Sequence, residues 1–421
     1  MLTQRCNVFS AYDYISSVIH ATINLIIDPS FLSNLMKRRQ FLSKAASNAA
    51  LLPLTLAAMP SFSDSFDDFV KAQQAGVEKI KNDYQSYKTR YLSAFDVYKS
   101  DIEQEWQDVE ISNQEAWVEY SGDLQTKTVI DFGFNEIRFS YKVTGSKNDL
   151  EKIKNSLLKQ DIQRLLQKTE RQAALSDPIN NTLMVGRSQD KLLNQPLLSE
   201  MSSLYGSIEN AEEKLASAAL ILEESTSKGE VVVIKIPLPK EFPLKRAEKY
   251  LTSAKESANK WNIDPALVMA IAHTESHFNP LARSHIPAFG LMQIVPSSAG
   301  KDASKLMYGK SRLLTSNELY NPSFNLDTGS AYLSMLQTRY LKRITNPQTR
   351  LHCTIAAYNT GTGNVAKAFI GRASMQRAYP VINQLTPEAV FEILKKDLPY
   401  KETRKYLVKV TNHLKNYSQL V

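Results

Sequence analysis

A chain of 421 residues with 43% apolar content is long enough for a leader and two domains with buried cores. Its net charge of +8 is spread over 51 basic and 43 acidic residues, which excludes the concentrated basic stripe of a nucleic-acid binder and favours anionic partners only mildly. With Cys6 and Cys353 as its two cysteines, it can build neither a disulfide framework nor a thiolate metal site of the usual kinds, and no cofactor or metal is expected.

Residues 1–63 read as a leader. Met36-Lys37-Arg38-Arg39-Gln40-Phe41-Leu42 resembles a twin-arginine export signal, followed by a weakly apolar run from Ala45 to Ala58 and small residues at Ala57 and Ala58 where a peptidase could cut. Residues 1–35 have no place in such a signal, which puts the true start near Met36, and Tyr14 to Ile27 is too short and too polar for a membrane span. Export places the chain in the periplasm, soluble or membrane-associated; the alternative to cleavage is a leader retained as an anchor.

Residues 65–238 are expected to form a small α+β domain. From Ser65 to about Glu110, Val77, Ile80, Tyr84, Tyr87, Tyr91, Ala94 and Tyr98 recur three and four apart, the seam of a long helix packed on a partner of the same domain. From Ala116 to Thr144 the period changes to two, with glycines at 122 and 133, which predicts an antiparallel meander. A helix over Lys147 to Thr169 should cover it, residues 175–200 read as irregular or loosely helical, and a further helix is expected over Ile208 to Glu224. Glu230 to Leu238 reads as a strand pairing with the meander, and Pro237, Pro239 and Pro243 make a stiff connection to a second, all-α domain over residues 243–421.

In that second domain Asp264 and Pro265 give a helix start, an acidic cap followed by a proline where its missing donor is not needed. Leu267, Val268, Ile271 and Glu275 then fall in line, so the carboxyl lies on the apolar face, and Asn279-Pro280 should end the helix. A carboxyl there loses solvation in its charged form, stays protonated and can donate a proton. His273 and His277 flank Glu275 at i, i+4, but no third ligand stands near them in sequence, and a surface or groove-lining pair is the expectation. Further helices are predicted from Leu326, after Asn325 as cap, to Tyr340, from Leu351 to Tyr358 beyond an Asn346-Pro347 turn, from Pro387 to about Lys396, and from Tyr400 to Tyr417.

Four short motifs follow in order: Glu275-Ser276, Gly290-Leu291-Met292-Gln293, Ala357-Tyr358-Asn359, and Glu402-Thr403-Arg404-Lys405-Tyr406. Each is weak alone and their conjunction is strong. Together they resemble the lytic transglycosylases with a soluble-lysozyme-like domain, and the chain from about Pro243 to Val410 is similar to the membrane-bound lytic murein transglycosylase C family, with a looser likeness ahead of it. The resemblance implies a lysozyme-like catalytic domain that cleaves the β-1,4 bond between N-acetylmuramic acid and N-acetylglucosamine in peptidoglycan strands. It implies Glu275 as acid and then base, the sugar's 6-hydroxyl as the attacking group, and a 1,6-anhydro-muramoyl product. Ser284, Met292, Gln293, Tyr358, Asn359 and Tyr406 match positions that bind glycan, wall the groove or orient the glutamate. The family's usual lipid-bearing cysteine is missing, since no cysteine stands between residues 45 and 65. Two alternatives remain open on the residues: a hydrolytic muramidase on the same fold, and a cell-wall-binding scaffold without activity.

Overall fold

A 44-residue helix, α1 (Phe62–Glu105), leads into the described chain. The computed structural model describes residues 62–144, 147–184 and 190–421. The leader expected over residues 1–63 lies outside them except for its last two residues. Lys71–Val421 forms one compact unit. On α1 the expected seam is buried at Tyr84, Tyr87 and Tyr91, and beyond it Ile102 is buried as well. Its partner differs from the expectation, because Tyr87 and Tyr91 set their rings edge-on against Phe289, at centroid distances of 6.3 and 5.9 Å. The helix thus packs on the segment that follows Glu275, not only on its own half of the chain.

The meander forms as expected, with β1 (Ala116–Tyr120), β2 (Thr126–Asp131) and β3 (Glu136–Val143) antiparallel. Behind them runs a helix with a π-turn over Ile153–Leu157 that continues as α2 (Leu158–Gln167). It reaches the sheet through the Tyr141 hydroxyl, which donates to the Asp161 carboxylate at 2.7 Å. The stretch read as irregular over 175–200 holds one short helix, Pro178–Met184, and lies between two others, Glu170–Leu175 and Glu200–Tyr205.

One helix was expected over Ile208 to Glu224, but the chain makes α3 (Ile208–Ser217) and then a strand, β4 (Leu220–Thr226), hairpinned to β5 (Gly229–Pro237). The sheet order is β1-β2-β3-β5-β4, so β4 lies at an edge. Its side chains are mostly exposed, Leu220 at 62%, so it carries no alternation between buried and exposed positions to betray it. On β5 Val231 and Val233 join Ile102, Trp106 and Val118 on one face, while Val232, Ile234 and Ile236 join the main core on the other. That main core runs without interruption from the sheet into the helices beyond residue 242.

Those helices include α4 (Phe242–Trp261), α5 (Pro265–Ser276), α6 (Pro322–Met335), α7 (Pro347–Thr360), α8 (Pro387–Asp397) and α9 (Lys401–Tyr417). The architecture is mainly helical with one small antiparallel sheet. Two starts differ from the sequence reading. The cap of α6 is Asn321, which accepts from the Phe324 amide, and Asn346-Pro347 is the cap and first position of α7 rather than a separate turn. Near the start of α4, Arg246 is buried against Glu200 at 3.3 Å and donates to the carbonyls of Leu197 and Phe278. Removing one partner of such a buried pair costs about 3–5 kcal/mol, because the other charge is left unpaired. No helix among the described residues is long and apolar enough to cross a membrane.

Candidate active site

The helix that carries Glu275 starts as its sequence dictates. The Asp264 carboxylate accepts the Ala266 amide at 2.8 Å, and Pro265 takes the first position. Beyond that, α5 is buried on every side: all seven residues from Ala266 to Ala272 are at most 1% exposed. An apolar stripe was expected, and a helix wrapped by the core was found. It also ends earlier than Asn279-Pro280. His277, at φ 48°, caps it in the left-handed region and Phe278 follows at φ 59°. Two successive non-glycine residues in that region cost energy, which the packing of buried Phe278 on Tyr250 offsets.

Glu275 is 9% exposed, and burial pushes its carboxyl up to about 8. The Tyr406 side chain of α9 acts the other way and pulls the value down, while the charge of Glu402 raises it further. The Tyr406 hydroxyl is itself buried beside the carboxyl without an aligned hydrogen bond to any described residue. At neutral pH the site therefore holds a protonated carboxylic acid.

Next to it, Ser276 is fully buried, and its hydroxyl bonds to the carbonyls of Ala272 at 3.0 Å and Leu291 at 2.8 Å. The first bond returns along the helix. The second, which was not foreseen, ties the helix end to the Gly290–Gln293 turn. In that turn Gly290 has φ 74°, and a Cβ there would collide with the Leu319 carbonyl and the Asn325 amide. Asn325 organises the turn: its Oδ1 accepts from the Met292 amide at 2.8 Å, and its Nδ2 donates to the carbonyls of Phe289 and Leu319, each at 2.8 Å. The expectation of a helix cap at Asn325 is corrected here. The Asn321-Pro322 pair has the same form as Asp264-Pro265 and was the signal that could have placed that cap.

Met292 is fully buried against Gly329 and does not face a groove directly. The Tyr358 hydroxyl donates to the Met292 carbonyl at 2.8 Å, and Tyr358 feels the charge of Glu275. Gln293 is 8% exposed; its Nε2 donates to the Gly290 carbonyl at 3.0 Å, and its Oε1 is left without a partner. The Asn359 Oδ1 accepts from the Thr403 hydroxyl at 2.7 Å, which links α7 to α9. Glu275, Tyr358 and Tyr406 thus stand together, Tyr358 is bonded to Met292 in the turn that also carries Gln293, and Asn359 is bonded to the helix that carries Tyr406. Ser284 stands apart, its hydroxyl donating to the Ile286 carbonyl in its own turn.

Other acids are engaged elsewhere. Asp264 caps the far end of α5, Asp302 accepts from the Tyr340 hydroxyl at 2.8 Å, and Asp327 accepts from Trp261 and Lys260. His273 and His277 do form a side-chain cluster, with His413 as the third ring. No group of three or more histidine, cysteine or acidic residues among the described residues could hold a metal ion.

A helix-borne buried acid, braced by a turn from one side and tyrosines from the other, lies within the stretch that matches a known domain family: residues 252–379 match the Transglycosylase SLT domain. The membrane-bound lytic murein transglycosylase C of Cronobacter sakazakii is 32% identical over 364 residues, covering 81% of this chain and 94% of that relative. The chain belongs to the membrane-bound lytic murein transglycosylase C family, a family of enzymes. The relative of the same name from Sodalis glossinidius is 44% identical over 173 residues, 41% of this chain, so the match spans about half (48%) of that relative's length. The 70 kDa soluble lytic transglycosylase of Escherichia coli aligns at 18% identity over 64% of this chain and 44% of that one, with a TM-score of 0.32.

Proposed function

We propose that the protein cleaves the β-1,4 bond between N-acetylmuramic acid and N-acetylglucosamine in peptidoglycan strands, with Glu275 as acid and then base, and leaves a 1,6-anhydro-muramoyl end. The observation that carries the reading is a buried carboxyl held protonated at neutral pH. Glu275 would give its proton to the glycosidic oxygen as the bond from that oxygen to the muramoyl C1 breaks. The resulting carboxylate would take the proton of the same sugar's 6-hydroxyl as that oxygen bonds to C1. Glu275 ends reprotonated, water takes no part, and one group serves both steps. The buried Oε1 of Gln293, without a partner in the fold, would accept a substrate N–H or O–H, and Tyr358 and Asn359 would bind sugar near the scissile bond. Tyr406 would orient Glu275, Met292 would support the groove wall from behind, and Ser284 would bind glycan from the neighbouring turn. The protein is placed in the periplasm, soluble or attached to a membrane through its leader, with glycan strands as its partner.

One observation favours a hydrolase instead. Glu402 is an acid whose charge reaches Glu275, and an ordinary muramidase needs a second carboxylate to activate water or meet the developing positive charge. Product ends decide between the two. Sacculi digested with the protein and with a Glu275→Gln copy are analysed by mass spectrometry. Anhydro ends formed only by the unaltered protein support transglycosylation, reducing ends support hydrolysis, and release independent of Glu275 removes both.

A further inference from the structure

Residues 277–289 connect the end of the Glu275 helix to the Gly290 turn, and three separate elements of the N-terminal half hold them at Arg283 and Ser284. From α1, the fully buried Tyr91 donates its hydroxyl to the Ser284 carbonyl at 2.8 Å. From the loop before β1, the Ser112 carbonyl accepts from Arg283 Nε at 3.1 Å, and the Asn113 carbonyl accepts the Arg283 amide at 3.2 Å. From the start of the Pro178–Met184 helix, the Asp177 carboxylate takes Arg283 Nη1 at 2.7 Å, with both side chains 5% exposed or less. The same Asp177 oxygen caps its own helix through the Asn180 amide, so the arginine is anchored to a fixed point. Beyond these bonds the tip of the turn is open, with His285 exposed, its ring edge-on to Phe95 of α1 at a centroid distance of 5.0 Å, and Ile286 61% exposed.

A turn exposed at its tip and fixed at its base takes its position from the base. We propose that Tyr91, together with the Arg283–Asp177 pair, is a positioning residue for glycan binding: it sets the Ser284 wall of the site, so that the N-terminal half is a structural part of the substrate groove. This rests on Ser284 as a glycan contact, from the reading above. Tyr91 is the informative member. Replacing it by phenylalanine keeps the ring that packs edge-on against Phe289 and removes only the bond to Ser284.

Binding of purified glycan strands is measured on the Glu275→Gln protein, which holds substrate without turning it over, and again after adding Tyr91→Phe. The dissociation constant should rise about five- to tenfold. With Glu275 intact, KM should rise by a similar factor while kcat stays within about twofold. In a Ser284→Ala background the effect of Tyr91→Phe should vanish, because the hydroxyl acts through that residue. An unchanged dissociation constant, a loss confined to melting temperature, or additive effects of the two substitutions would overturn the proposal. Absence of any glycan binding by the Glu275→Gln protein would overturn it together with the assigned function. Reducing ends in the product assay would overturn the assigned chemistry and leave this inference standing.

Discussion

Ser276 and the Leu291 carbonyl, fifteen residues apart, meet through a 2.8 Å hydrogen bond inside the core. The bond joins the last residue of the helix that carries Glu275 to the turn that carries Gln293. Ser276→Ala leaves the Leu291 carbonyl buried without this partner, which costs about 1–3 kcal/mol. The variant should melt lower and turn over glycan more slowly, since the acid and the turn lose their common tether. Thermal denaturation with parallel muropeptide release checks both; equal melting temperatures would show that the bond carries no weight.

Activity should depend on pH through Glu275. With the carboxyl pushed up to about 8, acid-dependent cleavage persists through neutrality and falls roughly tenfold per unit above that value. Stability has the opposite sign from that of a salt-bridged carboxylate. Between its ordinary value of 4.5 and about 8 the folded protein keeps a proton that the unfolded chain releases, so stability is full below 4.5 and declines as pH rises through the window. Glu275→Gln removes that decline. It should be inactive yet more stable than the parent at pH 7, by up to about 3 kcal/mol. Denaturant melts of the two proteins at pH 5, 7 and 8 test the sign.

Asn325 satisfies three buried backbone groups at once. Asn325→Leu fits the volume but strands the Met292 amide and two carbonyls, so a loss of roughly 3 kcal/mol or more is expected. Gly290→Ala should be at least as damaging, because its φ of 74° and the neighbouring Leu319 carbonyl both exclude a side chain. Either variant that kept parental stability would show that the turn can be held in another way.

On the far side of α5, the His273 and His413 rings lie 3.8 Å apart and His277 stands 5.1 Å from His273. Burial, then His413, His277 and Lys409, bring His273 down to about 3. Glu115 and Asp131 face His277 with the opposite influence, and the Tyr417 hydroxyl lies 3.1 Å from His273 Nδ1. A histidine kept neutral in the fold and charged once unfolded gives stability that is present above about 6.5 and is lost as pH falls toward 3. His413→Gln should therefore flatten the acid limb of the stability curve. Melting temperatures between pH 4 and 7, taken in the Glu275→Gln background to remove the opposing carboxyl, provide the check.

Local rules were enough for much of this protein. The cap and proline at Asp264-Pro265 and the alternation of the meander are local patterns, and the apolar run from Glu230 to Leu238 reads as a strand on its own, so they were legible, although that strand finds its partner about a hundred residues away. The order of the four motifs placed the helical half in its family before any contact was known. Local rules failed at β4, whose exposed side chains carry no burial pattern and whose strand state comes from pairing with β5. They failed at Asn325 and in the second bond of Ser276, where a polar side chain serves a backbone distant in sequence. They also failed to show that α1 packs against Phe289 and Ser284, nearly two hundred residues away. The amino-acid sequence alone determined which acid stands on which helix. Only the tertiary structure decided how far its carboxyl is raised, because the desolvation comes from the elements that the rest of the chain folds around it.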